Sequence, residues 1–307
     1  MLMDGRKLSG GWGWAVPWLF MAPMLLILGV FVVYPMLCGT VLAFFDFSLL
    51  RYNDNGNLMG PHWVGLDNFR RLWSDPDFFI AFKNSCLYLL VVPPLQGMAL
   101  FFAWLLNGQS RWEQLARTVL YIPVVTSTVV VGLCWRWMLR SDGLLNEALR
   151  MISWGNIEPI PWLTDSRLAI FSIMLATAWQ GVGYYLILYL AGLQAIPREL
   201  EEYATLEGAS SWQTATKVTL PLLKPTAAVC TLISVISALK VFTEVFIITG
   251  GGPQNSSLTT AYYAYLTAFE NFDMGYAAAM ALVLAAAIGT ASCMHYLFFN
   301  DGGWNVY

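Results

Sequence analysis

Two ionisable residues stand inside an apolar stretch: Lys240 and Glu244, within Leu223–Ile248. Four residues apart on a helix, they share a face. Charged groups inside a membrane are costly and turn toward a cavity or a partner. They read either as a mutually neutralising pair or as contacts for a ligand rich in hydroxyls. A second polar set lies in Leu168–Leu193: Thr177, Trp179, Gln180, Gly181, Gly183, Tyr184 and Tyr185. Aromatic rings stack on the apolar faces of a sugar, while amide and hydroxyl groups bond its hydroxyls. The plainer reading of the same residues is a helix interface built on small side chains.

Other chemistries find little support. The cysteines (Cys38, Cys86, Cys134, Cys230, Cys293) are far apart, and the histidines are only His62 and His295. A metal site needs clustered ligands, so the cysteines read as buried free thiols. The triple glycine Gly250–Gly252 lacks the Lys-Ser/Thr that completes a phosphate-binding loop and reads as a turn. No nucleophile stands at a fixed spacing from a base. Net charge is -3, with no basic run to bind nucleic acid.

These residues need a scaffold of membrane helices. The chain has 307 residues, 58% hydrophobic and only 11% charged, with mean hydropathy +0.58. A soluble domain carries about 25% charged residues. Six segments reach the roughly 20 apolar residues that cross a bilayer: Trp14–Phe45, Phe78–Leu106, Arg117–Leu139, Leu168–Leu193, Leu223–Ile248 and Tyr276–Phe299. The fold class is therefore all-α, with six transmembrane helices. Residues 1–13 read as a cytoplasmic tail and 14–307 as the membrane domain. Arg6 and Lys7 precede the first segment as in a signal peptide, but that segment is too long for one and reads as a retained span.

Pro35, Pro93, Pro94 and Pro123 predict kinks. The small residues of the last segment, Ala277–Ala279, Ala285–Ala287 and Gly289, suit close helix packing. Val64–Trp73 reads as an amphipathic interfacial helix through Leu66, Phe69, Leu72 and Trp73. Trp154 and Trp162 read as interface anchors. Lys and Arg divide almost evenly between the two sides. The stretch Thr249–Gly275 carries none, which places it outside and the N-terminus inside.

The segment 194–222 is the polar interruption with most helical character. Pro197 suits a helix start. Glu199, Glu201 and Glu202 complement the positive end of the helix dipole. Leu200, Tyr203, Ala204 and Leu206 or Glu207 make an apolar stripe. Gly208 can take the left-handed conformation that ends the helix. Ser210 or Ser211 can cap a second helix running toward Pro221. Two short helices hinged at a glycine make a shape for docking into another protein.

This segment resembles the cytoplasmic signature of permease subunits in binding-protein-dependent ABC importers. That signature is Glu-Ala-Ala, three residues, Gly, nine residues, Ile-x-Leu-Pro. Here stand Glu202, Tyr203, Ala204, Gly208, Val218, Leu220 and Pro221, with every spacing kept. Tyr203 and Val218 depart from the pattern and remain apolar. Gly65–Phe69, Leu105–Asn107, Gly192–Pro197, Thr249–Pro253 and Ala268–Ala281 are similar to the carbohydrate-uptake branch, of maltose and glycerol-phosphate type. The resemblance runs from about Trp18 to Phe299.

The resemblance implies an ABC type I importer permease in a bacterial cytoplasmic (inner) membrane. It would pair with a second, related permease, an ATPase dimer that holds ATP and Mg, and an extracytoplasmic solute-binding protein. This chain itself would hold no cofactor. Glu202, Tyr203, Ala204, Glu207, Gly208, Ala209, Leu220 and Pro221 would couple to the ATPase. Aligned on the family's motifs, Val124, Thr128, Thr177, Gln180, Gly181, Tyr184, Ser237, Ala238 and Val241 fall at ligand-contact positions. Val124, Ala238 and Val241 are apolar where the maltose-type permease is polar, which leaves polarity to Gln180, Lys240 and Glu244. The implied cargo is a sugar, oligosaccharide, polyol or glycerol phosphate. Two other readings stay open on the residues alone: an ion-gradient transporter using Lys240 and Glu244 as a relay, and a non-transporting scaffold or sensor.

Overall fold

The computed structural model describes residues 15–48, 50 and 60–300. The start of the first apolar segment, at Trp14, lies outside them. Helix α1 (Ala15–Leu28), a π-turn over Gly29–Val33 and α2 (Tyr34–Leu42) form one span over Pro17–Leu42. The amide that Pro35 lacks would have bonded the Phe31 carbonyl, and the helix widens there. None of this span is buried within the chain. Strand β1 (Phe45–Asp46) pairs antiparallel with β2 (His62–Trp63), Phe45 opposite Trp63.

Helix α3 (Asp67–Ser74) leads into the second span, Pro76–Leu105. That span consists of α4 (Pro76–Leu87), a 3-10 turn at Tyr88–Val91 and α5 (Val92–Leu105). Pro93 and Pro94 cannot bond the Leu89 and Leu90 carbonyls, and the chain tightens where those bonds fail. Helices α6 (Arg111–Val125) and α7 (Thr128–Met138) meet at 97°. Pro123 sits in the last turn before this break. A surface helix, α8 (Leu144–Ile152), precedes the long α9 (Ala169–Gln194). After α9 come α10 (Arg198–Leu206), α11 (Ser211–Thr214), a π-turn over Ala215–Thr219 and α12 (Leu220–Leu222). Helix α13 (Lys224–Leu239) follows, with a 64° bend between Ser211–Leu222 and Lys224–Leu239. Helices α14 (Thr243–Ile248), α15 (Thr260–Phe269) and α16 (Met274–Asn300) are the last helices among the described residues. Among the described residues, four helices are long and apolar enough to cross a membrane, and counting each bent pair as one span brings the number to six.

Helix α9 is the centre of the core and packs chiefly against α5 and α6. Its approach to α6 requires glycine: a Cβ on Gly183 would stand 2.1 Å from the Leu120 carbonyl oxygen. Buried polar groups tie the layers together. The Tyr189 hydroxyl donates to Gln96 Oε1 at 2.8 Å, and Gln96 Nε2 donates to the Cys230 carbonyl at 3.4 Å. A smaller core holds Ala43, Leu72, Phe78, Tyr276 and Met280, joining α3 and α4 to α16.

The structure corrects several expectations. Leu223–Ile248 is not one helix: α13 ends at Leu239, and the chain turns through Lys240–Phe242 before α14. The freed Val241 carbonyl accepts from the buried Thr259 hydroxyl at 3.0 Å. Thr249–Gly275 is not only a loop, because α15 forms within it and its Thr260 amide bonds Ser85 of α4. Helix α3 turns Asn68 and Leu72 inward, while Leu66 and Trp73 stay exposed. Asn68 Nδ2 donates to the Ala43 and Phe45 carbonyls, each at 2.9 Å, so α3 is bolted to the body. Trp162 is half-buried and donates to Asn146, whereas Trp154 is exposed. Along α16, Ala277 and Ala279 are buried, but Ala285, Ala286 and Gly289 are exposed. Of the five cysteines only Cys230 is buried, because the others lie on helix faces turned away from the core.

Candidate functional site

A cavity of about 410 Å³ opens among α6, α7, α9, α13 and α14. Helix α9 supplies Thr177, Gln180, Gly181 and Tyr184, which recur on one face at helical spacing. Val124 comes from the end of α6 and Thr128 from the start of α7. Ser237 and Ala238 come from α13, Val241 from the turn after it and Glu244 from α14. The structure therefore brings together ten of the eleven pathway residues expected from sequence.

Lys240 is the exception. It ends α13, lies exposed and is absent from the lining. The helix break rotates it away from the face that Glu244 occupies. Among the described residues no ion pair joins the two.

Gln180 also serves the fold. Its Nε2 reaches the Pro123 carbonyl at 3.5 Å, the Thr126 carbonyl at 3.4 Å and Thr128 Oγ1 at 3.4 Å. It thus bridges the break between α6 and α7 from the cavity side. Sequence reasoning missed Tyr88, Val91, Leu95, Ile233 and Ser234, which with Tyr185 complete the lining. Tyr88 is fully buried, and its hydroxyl lies 2.5 Å from Thr177 Oγ1. Its place among the apolar residues of a span hid it. The 3-10 turn brings it to the cavity. The assembled wall carries rings, hydroxyls, one amide and one carboxylate, which can bind a polyol without covalent chemistry.

At one end of the spans, α10 and α11 form the glycine-hinged hairpin. Pro197 is the residue before the first helical one. Gly208 has φ +84°, which L side chains rarely adopt. Its N–H bonds the Thr205 carbonyl, and the Ala209 N–H bonds the Ala204 carbonyl, each at 3.0 Å. This pair is a Schellman closure. Ser210 is the cap of α11: its N–H donates to Gln213 Oε1 at 2.8 Å, and Gln213 N–H donates to Ser210 Oγ at 3.4 Å. The Thr219 hydroxyl donates to Glu201 Oε1 at 3.1 Å and fixes the angle between the two arms. Ala204 and Ala209 are half-buried against the hairpin. Glu202, Glu207, Leu220 and Pro221 are exposed. Tyr203 is 65% exposed, Leu206 82% and Trp212 75%. An apolar stripe on a stiff, doubly capped hairpin has the shape of a docking surface.

A bundle of spanning helices, a polar cavity among them and a rigid docking hairpin at one end define a membrane transport subunit. Comparison with known proteins identifies the kind. Residues 97–299 match the model of the "binding-protein-dependent transport system inner membrane component" family. The chain is 36% identical over 287 residues to the lactose transport system permease protein LacF of Rhizobium radiobacter, covering 91% of this chain and 92% of that one. It is 32% identical over 276 residues to the arabinooligosaccharides transport system permease protein AraP of Halalkalibacterium halodurans, covering 89% and 84%. The fold matches a crystal structure of a bacterial ABC transporter involved in alginate import with TM-score 0.78 and 22% identity, over 94% of this chain and 96% of that one. The chain belongs to the binding-protein-dependent inner membrane component family: it is a multi-pass permease subunit of an ABC importer.

Proposed function

We propose that residues 14–307 form half of a translocation pathway for a sugar, oligosaccharide, polyol or glycerol phosphate. The other half comes from a second, related permease. An extracytoplasmic binding protein delivers the cargo, and an ATPase dimer carrying ATP and Mg drives alternating access. The N-terminus and the 194–222 hairpin face the cytosol of a bacterium, where the hairpin enters a cleft in the ATPase. Glu202, Tyr203, Ala204, Glu207, Gly208, Ala209, Leu220 and Pro221 make or shape that contact.

The observation that carries this reading is the joint occurrence of a polar cavity and the capped hairpin in one chain. The sugars in the relatives' names support the cargo class.

The test is uptake by the purified complex in proteoliposomes, with labelled lactose, maltose and an arabino-oligosaccharide as probes. At least one probe accumulates only with ATP on the ATPase side. Tyr184→Ala lowers that uptake about tenfold, the loss of one ring contact worth about 1.4 kcal/mol, while ATP hydrolysis persists. Uptake driven by a proton or sodium gradient, without an ATPase, contradicts the proposal and favours an ion-gradient transporter.

A further inference from the structure

Among the described residues, Glu244 is the only Asp, Glu, Lys or Arg in the cavity lining. The remaining polar groups there are hydroxyls and the Gln180 amide, with the rings of Tyr88, Tyr184 and Tyr185 beside them. Among the described residues, no hydrogen bond or ion pair to another side chain is found for the Glu244 carboxylate. Two cations stand on neighbouring elements without entering the lining. Lys240 is exposed at the end of α13, and Arg136 on α7 donates to the Ile247 carbonyl at 3.3 Å. Among the described residues, no cation in the wall therefore opposes the Glu244 carboxylate. Apolar side chains such as Val91, Leu95 and Ile233 surround it. A cleft of one sign with apolar walls focuses its field and changes local ion concentrations by ten to a thousandfold.

We infer that Glu244 is a charge filter: its carboxylate disfavours anionic ligands in this half of the pathway, so the cargo is an uncharged or amine-bearing saccharide. The inference rests on the cavity being the ligand path, and it narrows the cargo class by removing glycerol phosphate and acidic sugars. Lys240 would have cancelled this field had it shared the helix face. The turn at Lys240–Phe242 leaves the carboxylate unopposed.

The filter can be read without knowing the cargo. Ser237 lines the same cavity and is exposed to it. A Ser237→Cys variant is made in a chain whose exposed Cys38, Cys86, Cys134 and Cys293 are replaced by alanine. The complete importer is then treated with a cationic and an anionic methanethiosulfonate of similar size, and modification of this chain is followed by mass. The cation-to-anion rate ratio should exceed that of 2-mercaptoethanol in solution by about tenfold or more. Adding Glu244→Gln should bring it within about twofold of the solution value. A ratio that Glu244→Gln leaves unchanged overturns the inference. So does a thiol that reacts with neither reagent. Absence of ATP-driven sugar uptake by the wild-type importer, with the ratio intact, would count against the transport reading and leave the filter standing.

Discussion

Asp75 shows how much one side chain can hold together. Its Oδ1 caps α4, accepting from the Asp77 N–H at 2.9 Å and the Phe78 N–H at 3.3 Å. Its Oδ2 accepts from the Tyr276 hydroxyl at 2.6 Å and the Tyr263 hydroxyl at 2.9 Å, which ties in α15 and α16. The Arg71 guanidinium lies 3.8 Å over the Tyr276 ring and bonds Asp273 at 2.6 Å. Burial pushes the Asp75 carboxyl up, but the tyrosine and backbone hydrogen bonds outweigh it and hold the group below the usual carboxylate range. The folded state therefore prefers the ionised form. That contribution is fully present above the unfolded value of about 3.9 and is lost as pH falls through the lower folded value. Asp75→Asn keeps a cap acceptor but loses the charged acceptor of the Tyr276 and Tyr263 hydroxyls, and should cost about 1–2 kcal/mol. The thermal midpoint of the variant should lie below that of the wild type by a constant amount between pH 7 and 5, and the gap should shrink below about pH 4. A gap that widens on acidification would contradict this assignment.

At the scale of elements, the hairpin was legible because its chemistry is local. Gly208 signalled a left-handed helix end and Ser210 or Ser211 a cap, and the structure realises them as a Schellman closure and a capping box between Ser210 and Gln213. The space around Gly208 is open, so a new Cβ there meets no atom within 4 Å. Only the backbone at φ +84° resists a side chain, at about 1–2 kcal/mol. Gly208→Asp should therefore leave the protein inserted and lower ATP-driven uptake at least tenfold by tilting one arm of the hairpin. Uptake at the wild-type rate in proteoliposomes would remove the hinge from the account. Elements set by distant contacts were not legible. Helix α15 has ten residues, too few to cross a bilayer, and is held by Ser85 of α4. The break at Lys240–Phe242 contains neither proline nor glycine, and the carbonyl it frees is taken up by Thr259, 18 residues away. That break is why Lys240 was placed beside Glu244 by spacing and is found outside the cavity. Tyr88 was missed for a related reason, since a 3-10 turn changes which face a residue occupies.

Across the whole molecule, the apolar runs announced the spans, and the bends and the packing against α9 decide what those spans enclose. The Pro17–Leu42 span has no buried residue and contacts mainly α16. Under the proposed assembly, this face and the exposed small residues of α16 are left for lipid and for the second permease. The cavity and the hairpin are joined by one helix and a short turn: α9 lines the cavity with Gln180 and Tyr184 and runs to Gln194, and α10 begins at Arg198. A push on α10 can therefore reach the cavity wall. The central claim is that this hairpin docks into a nucleotide-hydrolysing partner on the cytosolic side. Leu206, at the exposed tip of the apolar stripe, tests it most directly. A Leu206→Cys variant is assembled into the complete importer and treated with a short bifunctional thiol reagent, and the adducts are identified by mass spectrometry. The account predicts one dominant adduct, to the ATPase subunit, protected from reagents that reach only the outer face. An adduct to the extracytoplasmic binding protein, or labelling from the outer face, would contradict it.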